Sequence, residues 1–184
     1  QKRATGDLFA VKALRKRDLM YKNMMDQVVA ERDALIAAAN PFTIKLYYSF
    51  TSARHVYLVT EYANGGDLYS LLTQLGRLSE EHARQYCAEI ALALEYVHSK
   101  GITHRDLKPG NCLIASDGHI KLADFGSCRG IYSKQPYTEY ISTRWYRAPE
   151  CLLTDGYYGY KMDLWGAGCV LFEIISLFPL FPGN

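Results

Sequence analysis

Signatures of a metal centre, a membrane span or a polyanion surface are all missing from this sequence of 184 residues. Its five cysteines, Cys87, Cys112, Cys128, Cys151 and Cys169, form no C-x-x-C pair. Such scatter argues against a zinc site and a disulfide framework, and fits a reducing compartment, cytosolic or nuclear. His55, His82, His98 and His119 belong to no clustered carboxylate or cysteine set with ligand spacing, so none reads as a metal ligand. The formal net charge is only +2, which gives no reason to expect a nucleic-acid or anionic-membrane partner. The apolar run from Leu164 to Phe181 contains Glu173 and Pro179 and falls short of the ~20 clean residues of a span. A buried core helix is the expected reading. There is no internal repeat, low-complexity tract or linker, and the chain opens on Gln1 rather than Met, so a preceding segment is expected.

Hydrophobic residues make up 49% and charged residues 22%, ordinary for one globular domain with a sizeable core. Leu8 to Leu14 predicts a short buried strand entered through Thr5-Gly6-Asp7. Met24 to Ala39 predicts a helix with an apolar stripe of Met25, Val29 and Ile36, and with Val28 and Leu35 beside it. Glu31 lies three residues after Val28 and four before Leu35, so a carboxylate faces inward and needs a cationic partner. Ile44 to Phe50 and His55 to Glu61 predict two more strands. Asn64-Gly65-Gly66 breaks the pattern before a short helix over Asp67 to Leu75. Ser79 is the expected cap of a longer helix whose core face is Ala83, Tyr86, Cys87, Ile90, Leu94 and Val97, ended by Gly101. Cys112 to Ala115 and His119 to Leu122 read as a hairpin around Asp117-Gly118. Ser127 to Arg147 predicts a long functional loop. Asp163 to Leu177 is apolar nearly all round, hence a central buried helix. Strands precede helices, an α+β order that predicts a small antiparallel-sheet lobe with one helix and a larger, mainly helical lobe.

The strongest local signal is His104-Arg105-Asp106-Leu107-Lys108-Pro109-Gly110-Asn111, just before the hairpin. Asp124-Phe125-Gly126 and Ala148-Pro149-Glu150 follow, and Ala10-Val11-Lys12 lies upstream. Each motif alone is weak, and Lys12 could be an edge-strand lysine or Asp106 a turn cap. Together, in this order, they resemble the protein-kinase signature. His104 and Phe125 read as packing residues.

The resemblance implies a two-lobed kinase fold, with a small lobe over residues 1–61, a hinge over 62–66 and a large lobe over 67–184. It implies a protein serine/threonine kinase that uses ATP and magnesium, acts on protein substrates and answers to an upstream activating kinase. Lys12 would hold the α/β-phosphates and Glu31 would hold Lys12. Asp124 and Asn111 would bind magnesium through hard oxygen ligands. Asp106 would orient the substrate hydroxyl, Lys108 would neutralise the transferring phosphoryl group, and Thr143 would bridge Asp106 and Lys108. Glu61 and Ala63 would offer hinge backbone to adenine, Thr60 would be the gatekeeper, Ala10 and Leu113 would sandwich the ring, and Asp67 would reach the ribose. Asp163 would anchor the catalytic loop. A pseudokinase and a metabolite kinase of related fold are the alternatives. The first lacks support because the polar catalytic residues are present, and the second because a full activation segment ends at Ala148-Pro149-Glu150.

The resemblance is mixed along the chain. ATGDLFAVKAL, VVAERDALIAAANPF, YSFTSARHVYLVTEYANGGDLYSLL and ALALEYVHSKGITHRDLKP are similar to AGC-group kinases of the plant IRE and MAST type. From about Ser127 the sequence resembles the CMGC group, in particular the MOK kinase of the RCK/MAK branch. Thr138-Glu139-Tyr140 resembles a dual phosphorylation motif, and Ser142 to Arg147 a CMGC substrate-docking segment. That implies phosphate on Thr138 and Tyr140 received by Arg105, Arg129, Arg144 and Arg147, and proline favoured after the target residue. Departures are the missing Gly-rich loop and closing helices, Gly110 for an acidic residue, Ala30 for an arginine and Gly166 for a serine. The resemblance therefore implies a catalytic core cut short at both ends, poorly stable and nearly inactive by itself. Tyr140 is nearest in sequence to Arg144 and Arg147, and Ala30 removes a partner for phosphothreonine. In a kinase assay of the protein that carries this chain, Tyr140→Phe should therefore reduce activity more than Thr138→Ala; the reverse ranking would refute this.

Overall fold

The computed structural model describes residues 5–76, 78–131, 133, 144–154 and 156–183. Thr138, Tyr140 and Thr143 lie outside the described residues. The N-terminal part holds β1 (Phe9–Arg15), α1 (Lys16–Tyr21), α2 (Met25–Ala37), β2 (Leu46–Thr51) and β3 (His55–Glu61). The strands form an antiparallel sheet in the order β1-β3-β2, with Ala10 opposite Thr60 and Lys12 opposite Leu58. Central β3 buries Val56, Leu58 and Val59. The expectation that β1 is buried does not hold. Among the described residues it pairs with β3 alone, and Val11 is 57% exposed, because an apolar run does not distinguish a sheet edge from its centre. Short, charged α1 shows no apolar period in sequence and buries only Leu19.

Helix α2 turns Val28, Glu31, Ala34 and Leu35 inward. The Met25, Val29 and Ile36 stripe faces solvent instead, contrary to expectation. Apolar residues lie on several sides of this helix, so periodicity alone does not choose its inner face. Glu31 does, since a buried carboxylate must meet a cation.

The C-terminal part begins with α3 (Leu68–Leu75) and α4 (Glu80–Ser99), followed by β4 (Ile102–Thr103), β5 (Cys112–Ile114) and β6 (Ile120–Leu122). β7 (Arg129–Gly130), α5 (Pro149–Leu153) and α6 (Lys161–Ser176) complete the described elements. Asp67 caps α3 by accepting from Ser70 N (2.9 Å), and Ser79 caps α4 by accepting from His82 N (3.2 Å). Each such cap stabilises a helix by about 1 kcal/mol. The core face of α4 is Tyr86, Ile90, Leu94 and Val97 as expected, with Ala93 and Glu89 added, while Ala83 and Cys87 are only half-buried. The β5–β6 hairpin pairs Ile114 with Ile120, so its loop is longer than a two-residue turn, with Gly118 at φ +83°. Within the expected long loop, β7 pairs with β4 through Ile102–Gly130 and Thr103–Arg129.

Helix α6 is not buried all round. Met162, Asp163, Gly166, Cys169, Val170, Glu173 and Ile174 face inward, while Leu164, Leu171 and Ile175 are exposed. The inner face is the one that carries two carboxylates with partners elsewhere in the fold, which a count of apolar residues overlooks. The two parts share one core. Leu35, Ile44 and Leu58 pack with Ile90, Leu94, Leu122 and Phe125. The loop after α2 joins β6 through Ile44 N to Leu122 O (2.9 Å) and Leu122 N to Phe42 O (2.8 Å).

Buried Glu89 ties the hairpin to α4, accepting from Ile120 N (2.7 Å), His119 Nδ1 (2.6 Å) and Gln85 Nε2 (2.9 Å). The hydrogen bond and charge of Glu89 raise the His119 pKa, with desolvation and Lys121 opposing and Asp117 assisting. A raised imidazole pKa adds stability that is full below the unfolded-state pKa and is lost as pH rises through the folded one. The difference in Tm between the parent protein and His119→Gln should therefore be larger on the acid side of the imidazole range than on the alkaline side. An equal difference on both sides would contradict the pairing.

Candidate active site

Register in the sheet sets the first half of the site. Lys12 on β1 reaches α2, where both oxygens of Glu31 accept from its Nζ (2.7 and 2.9 Å). Glu31 is 5% exposed and shares the inner face of α2 with Val28, Ala34 and Leu35. Lys12 Nζ also lies 3.6 Å from Asp124 Oδ1. Asp124 has φ +61° and opens a tight turn over Phe125–Ser127. A Cβ at Gly126 would lie 3.1 Å from Asp124 Oδ1 and 3.4 Å from both Glu31 Oε2 and Lys12 Nζ. A side chain there would push the Asp124 carboxylate aside by a few tenths of an ångström, whereas glycine lets the turn sit beside all three charges.

The second half is the loop before β5. Asp163 on α6, 1% exposed, accepts from His104 N (2.8 Å), Arg105 N (2.8 Å) and His98 Nε2 (2.8 Å). These bonds hold Arg105 at φ +70°, a conformation non-glycine residues seldom adopt. His104 is fully buried, donates through Nε2 to Ala123 O (3.0 Å) and meets the edge of buried Phe125 at 5.0 Å. Both are packing residues, as expected. Asp106 Oδ2 accepts from Lys108 Nζ (2.8 Å) and Asn111 Nδ2 (3.0 Å), and Asn111 Nδ2 also donates to Asp106 O (2.7 Å).

Between sheet and hairpin lies a cavity of about 480 Å³. Its lining includes Ala10, Lys12, Glu31, Thr60, Glu61, Ala63, Leu113 and Asp124, all chosen from sequence. Asp67 is not in the lining, and both its oxygens are engaged by Ser70. Glu61 already donates its N–H to Lys45 O (2.8 Å), and its carboxylate meets Lys121 Nζ at 3.3 Å. Arg105 donates to Ser127 O and Tyr158 Oη, and Arg129 to Cys128 O.

Sequence reasoning missed His98 and the pair Tyr146–Glu173. His98 and Asp163 lie 65 positions apart, so no local pattern links them. Tyr146 Oη donates to Glu173 Oε2 (2.6 Å). Burial pushes the Glu173 pKa up, and the Tyr146 hydrogen bond opposes that rise. Burial raises the thiol of Cys112 to about 12 and those of Cys128 and Cys151 to about 11. None of the three is therefore a reactive thiolate at neutral pH.

A lysine–glutamate pair beneath a small sheet, facing an Asp-Phe-Gly turn and an anchored aspartate loop, defines a phosphoryl-transfer scaffold of the kinase type. Residues 1–184 match the family model of the protein kinase domain, and the chain belongs to that family. The probable serine/threonine protein kinase IREH1 of Arabidopsis thaliana is 45% identical over 213 residues, covering 98% of this chain and 16% of the relative. MAPK/MAK/MRK overlapping kinase of Homo sapiens is 66% identical over 106 residues, covering 58% and 25%. Serine/threonine-protein kinase greatwall of Homo sapiens is 57% identical over 121 residues, covering 66% and 14%. The mixed resemblance is thus found among the relatives, and the chain spans a quarter or less of the length of each of these three.

Proposed function

We propose that the protein carrying this chain is an ATP- and magnesium-dependent protein serine/threonine kinase that moves the γ-phosphoryl group to a protein hydroxyl. The observation that carries the reading is the Lys12–Glu31 pair at 2.7 Å, set 3.6 Å from Asp124 on the wall of the cavity. In this reading residues 1–61 form the small lobe, 62–66 the hinge and 67–184 the large lobe. Adenine lies between Ala10 and Leu113, with Thr60 behind it and the backbone of Glu61 and Ala63 beside it. Asp67 reaches the ribose with the lone pairs that Ser70 leaves open. Lys12, fixed by Glu31, holds the α/β-phosphates. Asn111 spends its amide nitrogen on Asp106, which leaves its carbonyl oxygen to pair with the Asp124 carboxylate as metal ligands. Two hard oxygen donors beside a phosphate site suit magnesium, which keeps several waters and takes few protein ligands. The ion would supply charge neutralisation at the phosphates.

Asp106 orients the substrate hydroxyl and receives its proton, while Lys108 neutralises the transferring group. Thr143 bridges them. Phosphates placed on Thr138 and Tyr140 by an upstream kinase are received by Arg105, Arg129, Arg144 and Arg147. Proline after the target residue is the expected preference, because Trp145 to Arg147 resemble the segment that shapes the pocket after that residue, and Gly110 offers no carboxylate to an upstream basic residue. The cytosol or nucleus is the expected setting. The test is transfer from labelled ATP to a generic protein substrate by the protein that carries this chain. Asp106→Asn should lower turnover by roughly 10²–10⁴-fold with ATP affinity kept. Lys12→Met should weaken both. Near-parental turnover of Asp106→Asn would overturn the assignment.

A further inference from the structure

The cavity that would take adenine is a slot between two separate sheets. Its roof is Ala10 on β1, paired with Thr60 on β3, and its floor is Leu113 on β5, paired with Lys121 on β6. Directly paired residues of an antiparallel ladder point to one face, so the Lys121 side chain rises beside Leu113. Lys121 does not line the slot. Its Nζ instead meets Glu61 Oε1 at 3.3 Å, at the last residue of β3. The Lys121 side chain is 15% exposed, and a cation so far withdrawn from water needs a partner.

Glu61 is fixed on its own side. Its N–H donates to Lys45 O (2.8 Å), just ahead of β2. Glu61 therefore belongs to the roof by its backbone and is joined to the floor by its carboxylate. It lines the slot and also a second cavity of about 320 Å³, whose walls include Lys45 and Lys121. The ion pair thus spans roof and floor without entering the space a nucleotide would fill. We propose that Lys121 is a positioning residue that, through Glu61, sets the gap between Ala10 and Leu113 and so the fit of the slot to a flat purine ring. This rests on the kinase reading above. A gap of about 0.5–1 Å forfeits roughly a quarter to a half of the attraction between facing atoms, so a small change in spacing is read directly as affinity for the ring. Lys121 touches no nucleotide atom and acts only through Glu61.

The test uses the protein that carries this chain. Affinities for ATP and for adenosine, which has the ring but no phosphates, are measured by calorimetry, with kcat and the KM of a generic protein substrate alongside. Lys121→Met keeps the length of the side chain and removes its charge. It should weaken ATP and adenosine alike, by about three- to fivefold, the upper range for a part-exposed ion pair. Over the same comparison kcat, protein-substrate KM and Tm should stay near parental values. Lys121→Arg, which keeps the charge, should remain within about twofold of the parent. In a Glu61→Gln background the Lys121→Met penalty should fall below about twofold, the non-additivity expected of touching side chains. Unchanged adenosine affinity, or a penalty independent of Glu61, would overturn the proposal. So would a larger loss for ATP than for adenosine, because Glu61 would then act as a charge on the phosphates rather than as a spacer. A parent that binds adenosine but transfers no phosphate defeats the kinase reading alone, and the adenosine affinities still decide the role of Lys121. A parent that binds neither nucleotide nor nucleoside overturns both.

Discussion

One buried carboxylate governs the geometry of the candidate active site. Asp163 lies on the inner face of α6 and is almost wholly removed from water. Leaving such a charge without partners would cost about 3–5 kcal/mol. It is satisfied by two consecutive backbone N–H groups of the loop before β5 and by the His98 ring at the end of α4. The end of α4 and the loop that follows it are thereby drawn to a helix 58 to 65 positions further along the chain. The positive φ of Arg105 is a consequence, because only that turn presents both N–H groups to one carboxylate. The next residue is Asp106.

A second carboxylate plays the matching part on the opposite wall. Glu31 points inward from α2 and is neutralised by Lys12 from β1. Between the two anchors runs a continuous apolar path. Phe125 packs on His104, and Leu35, Ile44 and Leu122 share their cluster. Fully burying one such side chain contributes about 1.5–3 kcal/mol, so this path is costly to break. Close packing of this kind does not deform gradually, and it keeps Asp124 near Lys12 while Asp106 stays on its loop.

Much of this was legible in sequence where the determinants are local. The catalytic loop is contiguous, Ser79 caps its own helix, and Glu31 announces itself as a charge between Val28 and Leu35. The faces of α2 and α6 were not legible from apolar periodicity, because both helices carry apolar residues on their outer sides too. Their inner faces follow from polar residues whose partners lie elsewhere: Glu31 with Lys12, Asp163 with the loop, Glu173 with Tyr146. His119 showed no patterned partner in sequence, yet the fold sets Glu89 against it from 30 residues away. The β4–β7 pairing escaped notice because two-residue strands carry no period. Sequence patterns report the neighbours of a residue along the chain, whereas the site is built from neighbours across it.

The most direct measurement is therefore turnover beside ATP affinity for Asp163→Asn in the protein that carries this chain. Asparagine keeps the shape but offers one oxygen and turns an N–H₂ toward a backbone donor, so the loop must shift. The account predicts a fall in turnover of about 100-fold with ATP affinity within about twofold of the parent, since Lys12, Glu31 and Asp124 are held by other contacts. Parental turnover, or an equal loss in ATP affinity, would contradict it.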